Sequence, residues 1–347
     1  MMLKEFAFCE RPAPNVGLFA IDSGPRQTLE VLTGDSCFAW SSCTEDLTCS
    51  PDESMHSAVR GGVVGTSRSE AGAALEAQYR VTARRLGLAL ATIEDYPGNS
   101  QHISGGEVGL LIVESALAEV AVKQRLGSAC PVTAVGASLR YDHLRRNTAD
   151  ADIVIPEKGR WLLWVGQPET EAALLSLARV LPHVSRLGMR LLFRAHPRDF
   201  GVKRGCYSQL FDRYSGMVHN VSMLSLEAVL ALRPCLTLTH FSSLAVELAF
   251  RGIPAVHVLF PDAGGATLKA LTGYSVPHIC EAGGSIAIAN EADLASLLPT
   301  LIFDAPARAR MMRCFDVYFD RNSPQAAKVV SCLKSFFNLH QSNLLEH

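Results

Sequence analysis

The segment Leu236–Leu259 most constrains the fold of this 347-residue chain, because it reads as strand, turn, helix, turn and strand. Its β-prone opening run ends at Ser242 and Ser243, either of which can cap a helix by accepting a free backbone N–H. Gly252 ends that helix, and Pro254 opens a second apolar strand. A strand–helix–strand unit of this length is the parallel crossover connection, so the segment predicts an α/β fold.

The turn inside this segment is a candidate anion site. Free N–H groups, the positive end of a helix dipole and two hydroxyls meet at Ser242 and Ser243. Glu247 lies one turn further, where its carboxylate could bind the hydroxyls of a ribose whose phosphate sits at the helix end. His240 precedes the turn and could contact the same ligand or only cap the strand. The alternative is a plain N-cap at Ser242 and a solvated Glu247.

Composition narrows the functional classes. A chain of 347 residues with 48% hydrophobic residues can bury two cores, so we expect two domains. Its formal net charge of −2 provides no global attraction to nucleic acid. No apolar run is long enough to span a membrane, and the N-terminal residues lack a signal-peptide core. We therefore expect a soluble, cytoplasmic protein with no nucleic-acid partner and at most peripheral membrane contact.

Short strand-like and helix-like segments alternate along most of the chain. This rhythm, with short connections, predicts doubly wound parallel sheets. A polar stretch at 147–160 interrupts it and has the composition of an interdomain linker. We therefore predict a first domain at 1–150, a second at 160–323, and a C-terminal helix at 324–344 that packs back on the first.

Ligands of open α/β sheets bind at the carboxyl ends of the strands, so residues there are candidates for a site. Asp95 follows a strand and can accept a proton from an acceptor hydroxyl as a general base, with Glu94 as the alternative. The competing interpretation makes Asp95 a turn residue. Two other strand-end turns offer substrate contacts through Ser23, Gly24 and Thr66.

The second half offers one basic strand end. His196 closes a strand before Pro197, and its imidazole could donate a hydrogen bond to a donor phosphate and assist its departure. Arg194 lies on the same strand face because side chains alternate with a period of two. The alternative for His196 is simple packing at the strand end.

Neither a metal nor another cofactor is required by these residues. The helix N-terminus and basic side chains can stabilise a leaving diphosphate, and no pair of carboxylates follows a strand in the manner of a metal ligand set. Cys37, Cys43 and Cys49 are closely spaced, but no histidine completes a cluster before His56.

Several motifs, in order, resemble the GT-B superfamily. GVVGTS followed by a helix and ATIEDYPGN is similar to the first half of CDP-glycerol glycerophosphotransferase-like proteins. Their G-N-P-x-x-D-x-L run is matched at Gly136, Tyr141, Asp142 and Leu144, with Ala137 and Ser138 replacing Asn and Pro. LLFRAHPRDF resembles their R-P-H-P-x-D, with Arg194, His196, Pro197 and Asp199 in place. THFSSLAVELAFRGIP resembles a donor-site segment that UDP-N-acetylglucosamine 2-epimerases share.

The resemblance implies two Rossmann-like domains facing a cleft and a nucleotide-activated donor, either a UDP-sugar or a CDP-alcohol. The donor would lie on the second domain, and a glycan or lipid-linked acceptor on the first. A transferase for envelope or capsule glycans is the leading hypothesis. The alternatives are an isomerase similar to the 2-epimerases and a catalytically silent binding protein.

Overall fold

The computed structural model describes residues 16–41, 61–104, 106–127, 131–135, 139–147 and 161–338, and two parallel sheets organise these residues. The first sheet has the strand order β2-β1-β3-β4-β5-β6. Its strands are β1 (Val16–Phe19), β2 (Phe38–Trp40), β3 (Gly61–Val64), β4 (Ala89–Ile93), β5 (Leu110–Val113) and β6 (Val132–Ala134).

Helices of the first half connect these strands as parallel crossovers. Ser69 and Ser115 cap two of them by accepting backbone N–H groups, which explains why both helices begin directly after a serine. The described helices of this half are α1 (Ser23–Glu30), α2 (Glu70–Arg85), α3 (Ala116–Leu126) and α4 (Asp142–Asn147).

The second sheet also contains six parallel strands, in the order β12-β11-β10-β7-β8-β9. Its strands are β7 (Trp161–Val165), β8 (Arg190–Arg194), β9 (Val218–Asn220), β10 (Leu236–Thr239), β11 (Ala255–Val258) and β12 (Ile286–Ile288). The charge-free strand β7 lies at its centre and is buried over four of its five residues, as a strand covered on both faces should be.

Ten further helices follow β7. They are α5 (Thr170–Arg186), α6 (Phe200–Lys203), α7 (Ser208–Arg213), α8 (Leu226–Ala231), α9 (Ser243–Phe250), α10 (Gly264–Thr272), α11 (His278–Glu281), α12 (Glu291–Phe303), α13 (Ala305–Tyr318) and α14 (Ala326–Phe336) within the described residues. The predicted doubly wound α/β architecture is confirmed, with one sheet in each half of the chain.

The last helix returns to the first sheet. Val329, Leu333 and Phe337 are buried in one cluster with Val16 and Val63 of that sheet. The helix α14 therefore contributes to the apolar core of the first sheet. Residues 339–344 of that segment, and 148–160 of the expected linker, lie outside the described residues.

The structure differs from the sequence prediction after β11. The Gly264-Gly265 pair has the composition of a loop, but α10 begins there. A Cβ on Gly264 would lie 2.3 Å from Cδ2 of His240 and 2.7 Å from the carbonyl oxygen of Val258. Gly264 is therefore needed because the helix starts against the sheet, and it does not mark a flexible connection. The short strand β12 was also missed by the sequence analysis.

No helix in the described part of the chain is both long and apolar enough to cross a lipid bilayer.

Each sheet reverses its winding direction at one position, where a crevice opens at the carboxyl ends of the strands. In the first sheet this switch point lies between β1 and β3, and in the second between β7 and β10. The turns after those strands carry Ser23 and Thr66 in the first domain and Ser242 in the second. The two strand-end sets found in the sequence thus lie at the topological switch points.

Candidate functional site

Asp95 is buried at the end of β4 and is held by neighbouring polar groups. Its Oδ1 accepts hydrogen bonds from Thr66 Oγ1 at 2.8 Å and Asn99 Nδ2 at 2.7 Å. A Cβ on Gly24 would lie 2.7 Å from Oδ2, so the turn after β1 approaches the carboxylate directly. Burial raises the pKa of Asp95, and the charge of Arg140 together with these hydrogen bonds opposes that rise. Three of the predicted site residues, Asp95, Thr66 and Gly24, therefore lie close together.

A second hydrogen-bond network fixes the turns after β1 and β3 relative to each other. Ser67 Oγ donates to Glu76 Oε1 at 2.5 Å and accepts from the backbone N–H of Asp22 at 2.9 Å. The Asp22 carboxylate accepts the N–H groups of Arg68 and Ser69 at 2.6 and 2.7 Å. Ser23, which the sequence predicts as a substrate contact, follows Asp22 and is exposed at the start of α1.

Arg140 is the cation of the first-domain wall. A Cβ on Gly24 would also lie 3.3 Å from Arg140 Nη1, so this guanidinium and Asp95 share one small region. Burial lowers the pKa of Arg140, but the charges of Tyr141, Asp95 and Glu247 outweigh that effect and raise it. Because Glu247 belongs to α9, the predicted ribose-binding carboxylate acts electrostatically on Arg140 of the other domain.

The second-domain wall is built at the start of α9. Ser242 occupies the N-cap position, and its Oγ accepts the backbone N–H of Leu244 at 3.3 Å. The carbonyl of Ser243 accepts a hydrogen bond from Tyr141 Oη of the first domain at 3.3 Å. The predicted capped turn is therefore present, and it contacts the opposite domain.

His240 packs into the core of the second domain. Its Nε2 lies 2.9 Å from Ser176 Oγ of α5, and its ring meets Trp164 edge-to-face at 5.3 Å. Burial lowers the pKa of His240 to about 4, so the ring is neutral at pH 7. The side chain is directed to α5 and α10, away from the turn at Ser242, so the site proposed below excludes His240.

Arg194 and His196 lie at the neighbouring strand end. Arg194 Nη1 donates to the carbonyl of Leu224 at 2.7 Å and so fixes the loop after β9. His196 is half-buried, its Nδ1 accepts the N–H of Arg198 at 3.0 Å, and burial lowers its pKa. A Cβ on Gly166 would lie 3.2 Å from His196 N, so the loops after β7 and β8 touch. The structure thus places His196 beside the second switch point and gives Arg194 a structural partner.

One narrow cavity lies between the two domains and joins these walls. Its volume is only ≈ 20 Å³, which is space for about one or two waters. The two domains are therefore closed on each other here. The lining residues are Asp95, Tyr96, Pro97, Glu114 and Tyr141 from the first half and Phe241, Ser242, Val246, His257, Pro277, His278, Ile279 and Phe319 from the second.

Glu114 is a second carboxyl group in this cavity, which the sequence analysis missed. Its Oε1 accepts a hydrogen bond from Tyr318 Oη of α13 at 2.6 Å, and burial raises its pKa to about 7. A signal for Glu114 existed in the sequence. Glu114 directly follows the end of β5, and Asp95 likewise lies at a strand end, two residues after β4. Glu94 also has a pKa raised to about 7 by burial, but its Oε1 is occupied by the N–H groups of Gly98 and Ser100.

His257 also lines the cavity, and sequence reasoning could not find it. Its Nδ1 lies 2.7 Å from the carbonyl of His240, and burial lowers its pKa to about 4. Nδ1 of the neutral ring therefore donates to that carbonyl, which leaves Nε2 as a hydrogen-bond acceptor. A histidine inside a buried strand carries no mark in the sequence that separates a cavity wall from a core position.

Contacts across the domain boundary hold the cleft closed. Arg68 Nη2 donates to the carbonyl of Leu271 at 3.2 Å. A Cβ on Gly98 would lie 2.5 Å from the carbonyl oxygen of Thr272, so the loop after β4 is in direct backbone contact with the end of α10. A nucleotide-sized ligand can enter only if these contacts separate.

No group of three His, Cys, Asp or Glu side chains in the described ranges is arranged to hold a metal ion. Two members of the cysteine trio noted in the sequence, Cys43 and Cys49, lie outside those ranges.

Comparison with known proteins identifies the fold. No protein-family model and no curated protein sequence matches the chain. Several solved structures of other proteins do match it. One is a Listeria monocytogenes protein named as a UDP-N-acetylglucosamine 2-epimerase, with a TM-score of 0.65 and 13% identity, covering 94% of this chain and 96% of that chain.

Two further structures show the same likeness. MnaA of S. aureus, determined with UDP, has a TM-score of 0.63 and 12% identity, over 94% of this chain and 97% of its own. MurG of Acinetobacter baumannii has a TM-score of 0.56 and 13% identity, over 93% and 99%. The chain therefore has the GT-B fold, with two facing Rossmann-like domains, as the sequence predicts.

Proposed function

We propose that this protein is a GT-B enzyme that binds a UDP-sugar in the cleft between its two domains. The observation that carries the proposal is one interdomain cavity that contains Asp95 and Glu114 on one wall and the Ser242 cap of α9 on the other. A helix N-terminus provides free N–H groups and a positive dipole end for a diphosphate. UDP is the proposed nucleotide because similar structures contain it.

The predicted contacts other than His240 and Arg194 have these roles in the proposal. Ser242, Ser243 and the N–H groups of α9 hold the diphosphate, and Glu247 binds the ribose hydroxyls. Arg140 and His196 contribute donors to the phosphate oxygens from either side of the cleft. Ser23, Gly24 and Thr66 shape the first-domain wall around the sugar, and Asp95 accepts a proton.

We infer isomerisation at a sugar carbon as the reaction that this geometry supports best. Inverting a carbon that bears hydrogen requires one C–H bond to break and a new one to form, so proton donors and acceptors must reach the carbon from two sides. Asp95 and Glu114 both line the cavity, and a pKa of about 7 suits Glu114 to both roles near neutral pH. Several similar structures are named as UDP-N-acetylglucosamine 2-epimerases.

A transferase is the second candidate, because transfer needs only the single base Asp95 and because MurG, a GT-B glycosyltransferase, has the same fold. In that case a glycan or lipid-linked acceptor would bind beside Asp95.

One experiment distinguishes these reactions. The protein is incubated with UDP-N-acetylglucosamine in D2O and followed by NMR. Isomerisation predicts deuterium at C2 and appearance of the C2 epimer, whereas transfer predicts UDP release that depends on an added acceptor. Titration calorimetry with UDP and CDP tests the binding step separately. If neither nucleotide binds and no product forms, the chain is a silent member of the fold and the proposal is wrong.

A further inference from the structure

A groove on the outer side of the domain junction extends beyond the proposed nucleotide site and shares Glu114 with it. It has a volume of ≈ 770 Å³, which is within the usual range of about 300–1,000 Å³ for small-molecule sites. We call it the α13 groove. It is lined by Glu114, Ser115, Ala116 and Leu117 at the start of α3, by Ala134 and Ala282, and by Arg310, Arg313, Cys314, Val317 and Tyr318 of α13.

The helix α13 presents one continuous stripe to this groove. Cys314 follows Arg310 by four residues, Val317 follows Arg313 by four, and Arg313 follows Arg310 by three, so the four residues lie on the same helix face. All four are exposed. The groove is therefore bordered by a surface that combines two cations with an apolar side chain, in a protein whose formal net charge is −2.

Within the part of the chain that the structure describes, no acidic side chain pairs with either guanidinium group, so both can bind an anion. Neither Arg310 nor Arg313 forms an ion pair with any residue that the structure describes. The single carboxyl group in the lining is Glu114, which is buried and accepts a hydrogen bond from Tyr318. Charge complementarity therefore favours an anionic head group at the arginine side of the groove.

The walls of the groove are mostly apolar. Val317 is 82% exposed and Leu117 is 41% exposed, and they extend from opposite helices into the same space. Large apolar side chains that stay exposed around one concave surface indicate a binding site. The pairing of apolar walls with two arginines matches a ligand that has both a hydrocarbon part and an anionic part.

We propose that the α13 groove binds an amphiphilic phosphate monoester, with the phosphate on Arg310 and Arg313 and the alkyl chain along Leu117 and Val317. Phosphate is the head group that two adjacent guanidiniums bind best, because each can donate two parallel hydrogen bonds. Glu114 lines both this groove and the interdomain cavity, so the ligand would lie directly beside the proposed catalytic carboxyl group.

Two cysteines provide a local test for occupancy of the α13 groove. Cys314 lines the groove and is exposed, while Cys206 is exposed but lies outside the groove, between α6 and α7. The full chain is alkylated with iodoacetamide in the presence of decyl phosphate, and the modified peptides are quantified by mass spectrometry. We expect decyl phosphate to slow alkylation of Cys314 at least tenfold at saturation and to leave Cys206 unchanged.

Variants separate the charged part of the site from the apolar part. Arg310→Gln with Arg313→Gln should weaken protection of Cys314 about tenfold to a hundredfold, the usual effect of losing a charge-assisted hydrogen bond. Arg213→Gln, an exposed arginine outside the groove, should change nothing. Val317→Asp places a negative charge in the apolar wall and should also remove protection.

The controls decide the ligand class. Decanol and inorganic phosphate should each protect Cys314 far less than decyl phosphate does. Equal protection by decanol would show a groove without an anion site and would overturn the proposal, as would an unchanged rate at Cys314. The assay contains no nucleotide, so its outcome does not depend on the proposed UDP-sugar activity.

Discussion

Asp95 combines burial with a position where a substrate proton could be accepted. Asp95→Asn removes the acceptor and keeps the amide able to hydrogen-bond to its neighbours. We expect turnover to fall by roughly a hundredfold or more, the usual effect of losing a general base, while UDP affinity stays within about twofold. NMR product assays and calorimetry measure the two quantities.

The exposed Asp212→Asn variant is the matched control and should be fully active. Unchanged turnover in Asp95→Asn would leave Asp95 with the role of a turn residue that orders Thr66 and Asn99.

The two serines at the start of α9 differ in what they hold, so their substitutions should differ too. Ser242 Oγ caps the helix, and Ser242→Ala should lower the free energy of unfolding by about 1 kcal/mol. Ser243→Ala preserves the backbone carbonyl that Tyr141 binds and should leave stability unchanged.

The UDP affinity of the Ser243→Ala variant should fall about tenfold to a hundredfold, because a hydrogen bond to a charged phosphate is worth about 1.5–3 kcal/mol. Thermal melting and calorimetry on both variants measure this. Normal UDP affinity in Ser243→Ala would remove that hydroxyl from the proposed donor site.

Glu94 makes stability depend on pH. Burial raises its pKa from 4.5 to about 7, so the folded state binds this proton more tightly than the unfolded state does. The free energy of unfolding therefore decreases as pH rises from about 4.5 to 7, and the full cost remains above pH 7. Glu94→Gln mimics the protonated form and should reduce this decrease by on the order of 1–3 kcal/mol.

Urea unfolding at pH 5, 6, 7 and 8 measures the slope for Glu94→Gln and for the exposed control Glu70→Gln. Identical slopes in the parent and Glu94→Gln would contradict the assigned pKa.

At the level of single residues, the sequence predicts where a residue lies in the fold better than it predicts the direction in which its side chain points. Asp95, Thr66 and Ser242 were found because the ends of parallel strands meet at one edge of a sheet. The same rule, applied to β5, would have found Glu114. His240 and His257 lie one strand apart and in contact, yet only His257 lines the cavity. That choice depends on how α5 and α10 pack, which no local pattern encodes.

Among the elements, buried strands with helical crossovers were predictable because both have strong periodic signals. β12 has three residues and no such signal. The start of α10 was missed because the Gly264-Gly265 pair has the composition of a loop, whereas its small size serves close packing.

The junction between α4 and α14 depends on one carboxylate. Asp142 is the acidic residue in the first turn of α4. In the structure it also accepts the backbone N–H groups of Gln325 and Ala326 at 3.1 and 2.7 Å, and it pairs with buried Arg145.

Asp142→Asn should therefore destabilise the protein by about 3–5 kcal/mol, because the buried guanidinium of Arg145 would lose the carboxylate that neutralises it and keep only neutral acceptors such as the carbonyl of Phe319 nearby. Lys328→Gln, which removes only an exposed ion pair with Asp320, should cost less than about 1 kcal/mol. Urea unfolding measures both. Equal small effects would show that α14 is not held by Asp142.

On the scale of the whole molecule, activity should require the two domains to close again after the nucleotide has entered the cleft. Gly98→Ala would place a Cβ against the backbone of Thr272 and push the domains apart, at a residue with φ of +91°. We expect turnover to fall at least tenfold, because the two walls of the cavity would no longer meet.

Gly87→Ala provides the matched control. Its φ is +69°, so the backbone strain is similar, but a Cβ there would meet nothing within 4 Å. It should cost stability and leave turnover per folded molecule unchanged. Small-angle X-ray scattering should show a larger radius of gyration for Gly98→Ala only, and equal activity losses in both variants would contradict the closure requirement.

The return of α14 to the first sheet also bears on how the molecule is made. During synthesis the first sheet leaves the ribosome early, but Val329, Leu333 and Phe337 emerge only after the entire second domain. The first domain must therefore wait, with part of its apolar surface uncovered, until the chain is almost complete. A nascent chain stopped after the second domain would present that surface to chaperones, so the last helix acts as the final step of assembly for the domain that was begun first.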